Sequence, residues 1–442
     1  MIAALWTGLL LLTAAALPAG SELQYSGKVT RLSDTGERAE EAFRLFITVA
    51  GAEDIWYLVE ERGGASFPWP SRYGQLTGTP TPGSDIRVLQ RHESQDYPLP
   101  VRHPVFEFAD RLTPEAEWTE GSTRYVCLRH RLVQDRECAI VEVSLDRGRR
   151  QTLVVERGTG LILSLEERLF LGRGDAYQLT MQLDHTVPLA PDVLAQEAQV
   201  ARTLLGLQAQ WKKTHPELAE MLSAEQLAET QTALASLGSV GEGTWGRFVT
   251  TIQRDLSVQL RRLDGVAGLQ KKYLNQPAVP LPNLIRIDGQ KLAAAELAGK
   301  TTVLHFWNYG GEILEEPYGQ VGYLDFLSQR RHKLGAQIIG VAVDPRFADP
   351  STQAAGRRDA RKFQEFMNVS FPIVADAGPL LDSFGNPQTL GSPLPLWVVI
   401  GHDGVITHYQ VGYYDLNPDE GLRELDAAVV AALKREKAAG AK

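Results

Sequence analysis

The hydrophobic period of this chain changes twice, and each change restricts what the following segment can become. From residue 22 to about 190, apolar and polar residues alternate in short runs broken by Gly, Asp and Pro; Phe43 to Val49, Ile55 to Val59, Tyr125 to Leu128 and Ala139 to Leu145 are examples. Runs of period two at this spacing specify an antiparallel sheet, mostly hairpin-connected. From 191 to 275 the period becomes helical. Val193, Val200, Leu204, Leu207 and Trp211 share one helix face, and so do Trp245, Phe248, Val249, Ile252, Leu256, Leu263 and Ala267. Ser223-Ala-Glu-Gln226 is a capping-box pattern for a helix that Gly238 would end.

Residues 276 to 282, QPAVPLP, form a stiff three-proline boundary. Beyond it, wholly apolar runs at 303–307, 338–343 and 396–400 alternate with helix-length segments at 315–334, 357–368 and 418–434. That alternation calls for strands buried on both faces and connected by helical crossovers, an α/β layer domain. The Asp403-Gly404 turn, followed by Val405 to Val411, adds a closing hairpin. The expected architecture is multidomain: a β-rich domain at 22–190, a helical spacer at 191–275, the linker, an α/β domain at 283–434 and a polar tail at 435–442.

With 442 residues, the chain is long enough for several cores. Its 45 basic and 54 acidic residues form no basic stripe, which excludes a nucleic-acid partner. Residues 2 to 19 are apolar or small, and Pro18, Ala19 and Gly20 offer a small-residue exit, so residues 1–20 read as a secretory signal peptide. No Lys or Arg precedes the apolar run, which keeps an uncleaved N-terminal membrane anchor as the alternative. The rest is expected to be exported, periplasmic or extracellular. No HExxH, CxxC or GxSxG occurs, and neither metal nor cofactor is expected.

Cys127 and Cys138 are the two cysteines. They lie in alternating runs either side of a polar break, a pattern that suggests a disulfide across a hairpin in an oxidising compartment. A redox pair is the other reading, but no helix start is at hand to lower a thiol pKa.

The stretch Thr301 to Pro317, TTVLHFWNYGGEILEEP, resembles the active-site strand and helix start of the thioredoxin-like group that includes TlpA, ResA and the redoxins. Val303, Leu304, Phe306 and Trp307 match the strand and Pro317 the helix proline, but both catalytic cysteines are missing. Counting back from Pro317 puts Tyr309 and Glu312 at the thiol positions; counting forward from Trp307 puts Gly311 and Leu314 there. IIGVAVD at 338–344, FPIVADAGPLLDSF at 371–384 and LWVVIGHDG at 396–404 follow in the group's order. The resemblance implies a thioredoxin-like fold with a cis-proline at Pro395, and a contact patch of Trp307, Tyr309, Leu394 and Pro395 where an extended peptide or exported protein could dock.

Three functions follow as expectations. The first is a non-catalytic peptide-binding or scaffolding protein, because disulfide exchange requires a thiolate. The second is a thiol-disulfide oxidoreductase, as the group implies, using Cys127 and Cys138. The third is a lipid or lipopeptide carrier, since residues 149–183 loosely resemble the LolA and RseB half-barrels, whose sheet would offer an apolar groove. Glu312, Glu315 and Glu316 read as helix-start caps, and His305 as a core histidine. Gly241, Gly243 and Gly246 satisfy GxGxxG but follow no strand, so a turn is expected there.

Overall fold

The computed structural model describes residues 17–33, 36–63, 66–76, 85–92, 95–145, 148–214, 221–309, 318–416 and 421–440. Internal contacts divide the chain into two compact units, Met1–Ser257 and Val258–Lys442.

The first unit is built on β1 (Ser21–Ser33), β2 (Gly36–Val49), β3 (Ile55–Gly63), β4 (Tyr73–Leu76), β5 (Arg87–His92), β6 (Gln95–Pro100), β7 (Glu117–Glu120), β8 (Thr123–Val133), β9 (Arg136–Ser144), β10 (Arg150–Glu156), β11 (Ile162–Leu171) and β12 (Asp175–Pro188). Ten of these form one antiparallel sheet in the order β4-β3-β2-β1-β12-β11-β10-β9-β8-β7, and β5 and β6 pair with each other. Alternation decides the faces. Leu23, Tyr25 and Val29 of β1 point to one side with Leu45 and Ile47 of β2. Gly27 breaks that row because the Phe43 ring occupies the space a Cβ would need.

The apolar face of the sheet is filled by the chain itself. Ile86, Val88, Leu99, Val101, Phe106 and Leu112, from the β5–β6 hairpin and the segment after it, belong to the same buried cluster as the sheet residues. The open apolar groove expected of a half-barrel carrier is therefore occupied, which removes the feature on which the lipid-carrier reading rested.

Helices α1 (Pro191–Thr214), α2 (Ala224–Ser236) and α3 (Thr244–Tyr273) follow. Ser223 and Gln226 make the reciprocal capping box at the start of α2. In the first unit the helical stripes meet the β2–β4 end of the sheet: Tyr73 Oη donates to the Leu204 carbonyl at 3.0 Å, and Trp245 Nε1 to Thr48 Oγ1 at 3.1 Å. The GxGxxG glycines lie where α3 begins. Glu197 of α1 accepts from the backbone N–H of Trp245 at 2.9 Å and of Gly246 at 3.4 Å, so a carboxylate of the chain itself sits at this helix start. A Cβ at Gly243 would collide with that carboxylate, and one at Gly246 with the Gly241 carbonyl. The glycines make room for a cap.

The second unit contains β13 (Leu284–Ile285), β14 (Lys291–Leu292), α4 (Ala294–Leu297), β15 (Thr302–Trp307), α5 (Val321–His332), β16 (Gln337–Val343), α6 (Pro350–Phe366), β17 (Ile373–Asp376), α7 (Pro379–Ser383), β18 (Leu396–Ile400), β19 (Ile406–Val411) and α8 (Arg423–Gly440). Its five-stranded sheet has the order β17-β16-β15-β18-β19; β15, β16 and β17 are parallel, β18 runs antiparallel to β15, and β19 runs antiparallel to β18. Successive residues of the inner strands go to opposite layers, as their apolar runs require. Val303, Ile338 and Val399 pack beneath α5, α6 and α8. Leu304, Phe306, Ile339 and Val398 pack on the other face with Leu380, Leu381 and Phe384 around α7.

Candidate functional site

At the C-terminal end of β15 the chain passes from a buried strand to a half-buried tryptophan. Val303 to Phe306 are buried, and Trp307 stacks edge-on to Tyr413 at 5.8 Å between ring centres. Gly319, with φ at 63°, lies against the indole; a Cβ there would stand 2.7 Å from Trp307 Nε1. Tyr318, Gly319 and Gln320 all have positive φ, a sparsely populated conformation for the two that carry side chains. Gln320 anchors this turn: its amide donates to the Tyr414 carbonyl at 2.7 Å and accepts from the Tyr414 N–H at 3.1 Å. Of the proposed thiol positions, Gly311, Glu312 and Leu314 lie outside the described residues, as do Glu315, Glu316 and Pro317.

Tyr309 is described, and it does not line a contact patch. It is fully buried, with its hydroxyl 2.6 Å from His305 Nδ1. The reason lies across the sheet. Gly340 of β16 pairs with His305, and its missing Cβ leaves the room that the Tyr309 ring takes; a Cβ there would stand 2.5 Å from the Tyr309 hydroxyl. Leu394 and Pro395 are also buried, so of the four expected contact residues only Trp307 is partly open to solvent. The Leu394–Pro395 peptide is cis, at the position expected. Pro395 presents its carbonyl to the Gly412 N–H at 2.8 Å. Among the described residues, Leu394 makes no backbone hydrogen bond.

His305 is the group that sequence reading undervalued. Its ring lies over Trp397 at 4.0 Å between centres, with Tyr309 edge-on. Nε2 has no hydrogen-bond partner among the described residues. Burial drives the imidazole pKa down to about 3, opposed by the Gly319 backbone. Trp397 donates Nε1–H to the Gly412 carbonyl at 2.9 Å, and its ring meets Tyr414, whose hydroxyl is 2.6 Å from His408 Nε2. A line of buried aromatic and imidazole groups therefore runs behind Trp307. Burial raises Tyr309 well above the ordinary phenol range and lowers His408, with Glu424 opposing the latter. The signal available beforehand was a histidine inside an otherwise apolar strand, paired with a glycine in the next.

The cysteines are held apart as free, buried thiols rather than joined. Gln134 and Asp135, with φ of 49° and 62°, form a two-residue turn that pairs Val133 with Arg136. This register sets Cys138 opposite Arg131, while Cys127 faces Val141, three residues further along β9. At about 3.3 Å per residue the offset is roughly 10 Å, beyond the span of a disulfide. Both sulfurs are in the core of the first unit, and burial raises both thiol pKa values, with neighbouring arginines opposing. Among the described residues no three His, Cys, Asp or Glu side chains gather as metal ligands.

No family model and no curated protein matches this chain. Solved structures do. A secreted Mycobacterium tuberculosis disulfide oxidoreductase homologous to E. coli DsbE aligns with 34% of this chain and 94% of its own, at 19% identity and a TM-score of 0.26. A putative protein disulfide isomerase from Bacteroides thetaiotaomicron aligns with 36% of this chain and 90% of its own, at 16% identity and a TM-score of 0.29. A putative thiol:disulfide interchange protein DsbE from Chlorobium tepidum covers 36% and 99%, at 19% identity and a TM-score of 0.27. These are thioredoxin-like proteins similar to about a third of the chain, and at such values they say nothing about its chemistry.

Proposed function

We propose that this is an exported protein whose C-terminal unit is a thioredoxin-like binding module for an extended peptide segment, without disulfide-exchange activity of its own. One observation carries the reading: the unit from Val258 onward contains no sulfur nucleophile, since both cysteines of the chain stand at 127 and 138. The cysteines that do exist are buried, with raised pKa values, which disfavours the thiolate such chemistry needs. The peptide reading is supported by the half-buried Trp307 at the end of β15 and by the Leu394 backbone, which makes no hydrogen bond among the described residues. Export is supported by the apolar N-terminus; residues 1–16 lie outside the described residues, and no described helix is long and apolar enough to cross a membrane.

The test has two arms. In an insulin-reduction assay, the parent and the Cys127→Ser/Cys138→Ser variant should both stay at the background rate; reduction by the parent that the variant lacks would overturn the reading. Hydrogen exchange of residues 392–396, measured with and without a library of extended peptides, should slow on binding, and Trp307→Ala should weaken that protection at least tenfold in peptide concentration.

A further inference from the structure

At the end of the five-stranded sheet away from Trp307, the second unit contains a cavity that neither the fold nor the proposed function uses. It measures about 480 Å³ and opens beside the C-terminal half of α5, the first residues of β16 and residues 370–372. Gln337 to Ile339, which line it, pair with Thr302 to Leu304 at the start of β15. Its floor is apolar: Leu292, Leu297, Ile338, Ile339, Phe371 and Pro372. That volume and lining are those of a small-molecule site.

The rim has one sign of charge. His332 and Lys333 line it, and no Asp or Glu does, in a chain whose net charge is −9. The ordinary reason for basic residues here is the C-terminus of α5, whose free carbonyls favour cations. That role is filled by Arg330 and Arg331, both paired with Asp426. Lys333 is exposed and has no ion pair among the described residues.

We infer that the 480 Å³ cavity binds a fatty acid, its chain against the half-buried Leu292 and Pro372 and its carboxylate on the Lys333 ammonium. The chain covers the apolar area that Leu292 and Pro372 leave open to water, and the carboxylate meets the Lys333 ammonium, which has no ion pair among the described residues. A neutral alcohol of equal length keeps the first interaction and loses the second.

The test is calorimetric titration of the full chain with laurate and, separately, with dodecanol. Laurate should bind at one site and at least tenfold more tightly than dodecanol. Lys333→Glu, at an exposed position that leaves the core untouched, should weaken laurate at least tenfold and leave dodecanol unchanged. Ser328→Trp, which fills the cavity from α5, should abolish both. No laurate binding by the parent, equal affinity for the two amphiphiles, or laurate binding unaffected by Lys333→Glu would each overturn the inference. Flotation with phosphatidylglycerol vesicles but no binding of monomeric laurate would overturn it too, since it would assign the cations to a membrane surface.

Discussion

The two units bury their reactive groups in different ways. In the β-rich unit, Glu197 and the two cysteines are held in structural places. The Glu197 carboxylate is held by two backbone N–H donors at the start of α3, and Cys127 and Cys138 serve as small apolar core residues. In the α/β unit, His305 is just as deeply enclosed, but only one of its nitrogens is bonded among the described residues. A buried polar atom that is paired costs little, whereas an unpaired one makes the fold depend on its remaining neutral. The difference teaches that the α/β unit keeps a titratable group directly behind its Trp307 corner.

The largest expected effect tests that contrast through pH. His305 titrates at about 3 in the fold, whereas an unfolded histidine titrates near 6.5. Between those values the unfolded chain binds the proton and the folded chain does not. Stability therefore rises with pH across the window and is lost as pH falls from about 6.5 toward 3, by up to about 5 kcal/mol. Melting curves of the parent and His305→Gln over this range should show the extra slope in the parent alone; identical slopes would remove His305 from the comparison.

Packing around the same group comes next. Trp397 is fully buried beneath the imidazole and donates to Gly412, so Trp397→Ala should cost about 3–5 kcal/mol in denaturant unfolding. A loss below about 1 kcal/mol would mean that the aromatic line behind Trp307 is not a packed core. In the β unit, Glu197→Gln keeps the shape of the cap and removes its charge from the helix start. The expected loss is about 1 kcal/mol. A change of several kcal/mol would show that this carboxylate does more than cap.

The smallest effect concerns sulfur. Because the cysteines are free, a mild reductant should leave the melting temperature unchanged, and a thiol reagent should find two reactive groups only after unfolding. Had the pair been bonded, reduction would remove roughly 2–3 kcal/mol.

Much of the fold was legible in the residues. The inner strands of the α/β unit appear within one residue of the apolar runs that announce them, because a strand buried on both faces leaves a run that few other structures accommodate. The helical stripes and the Ser223–Gln226 cap were legible for the same local reason. The candidate site was legible only in part. Trp307 stands at its corner and Leu394–Pro395 is cis, but Tyr309 turns inward, because what decides its direction is the absence of a side chain at Gly340 on the neighbouring strand.

What the sequence alone determined is composition and period: where strands and helices run, and that no cysteine lies beyond residue 138. Those follow from the steric preferences of each residue and its near neighbours. What only the tertiary structure decided is which groups meet. The Gln134–Asp135 turn sets a register that separates two cysteines, Glu197 fills the glycine turn from another helix, and the β5–β6 hairpin fills the face of the sheet. Pairings between distant segments depend on register and on the space a neighbour leaves, and neither is written in the local pattern.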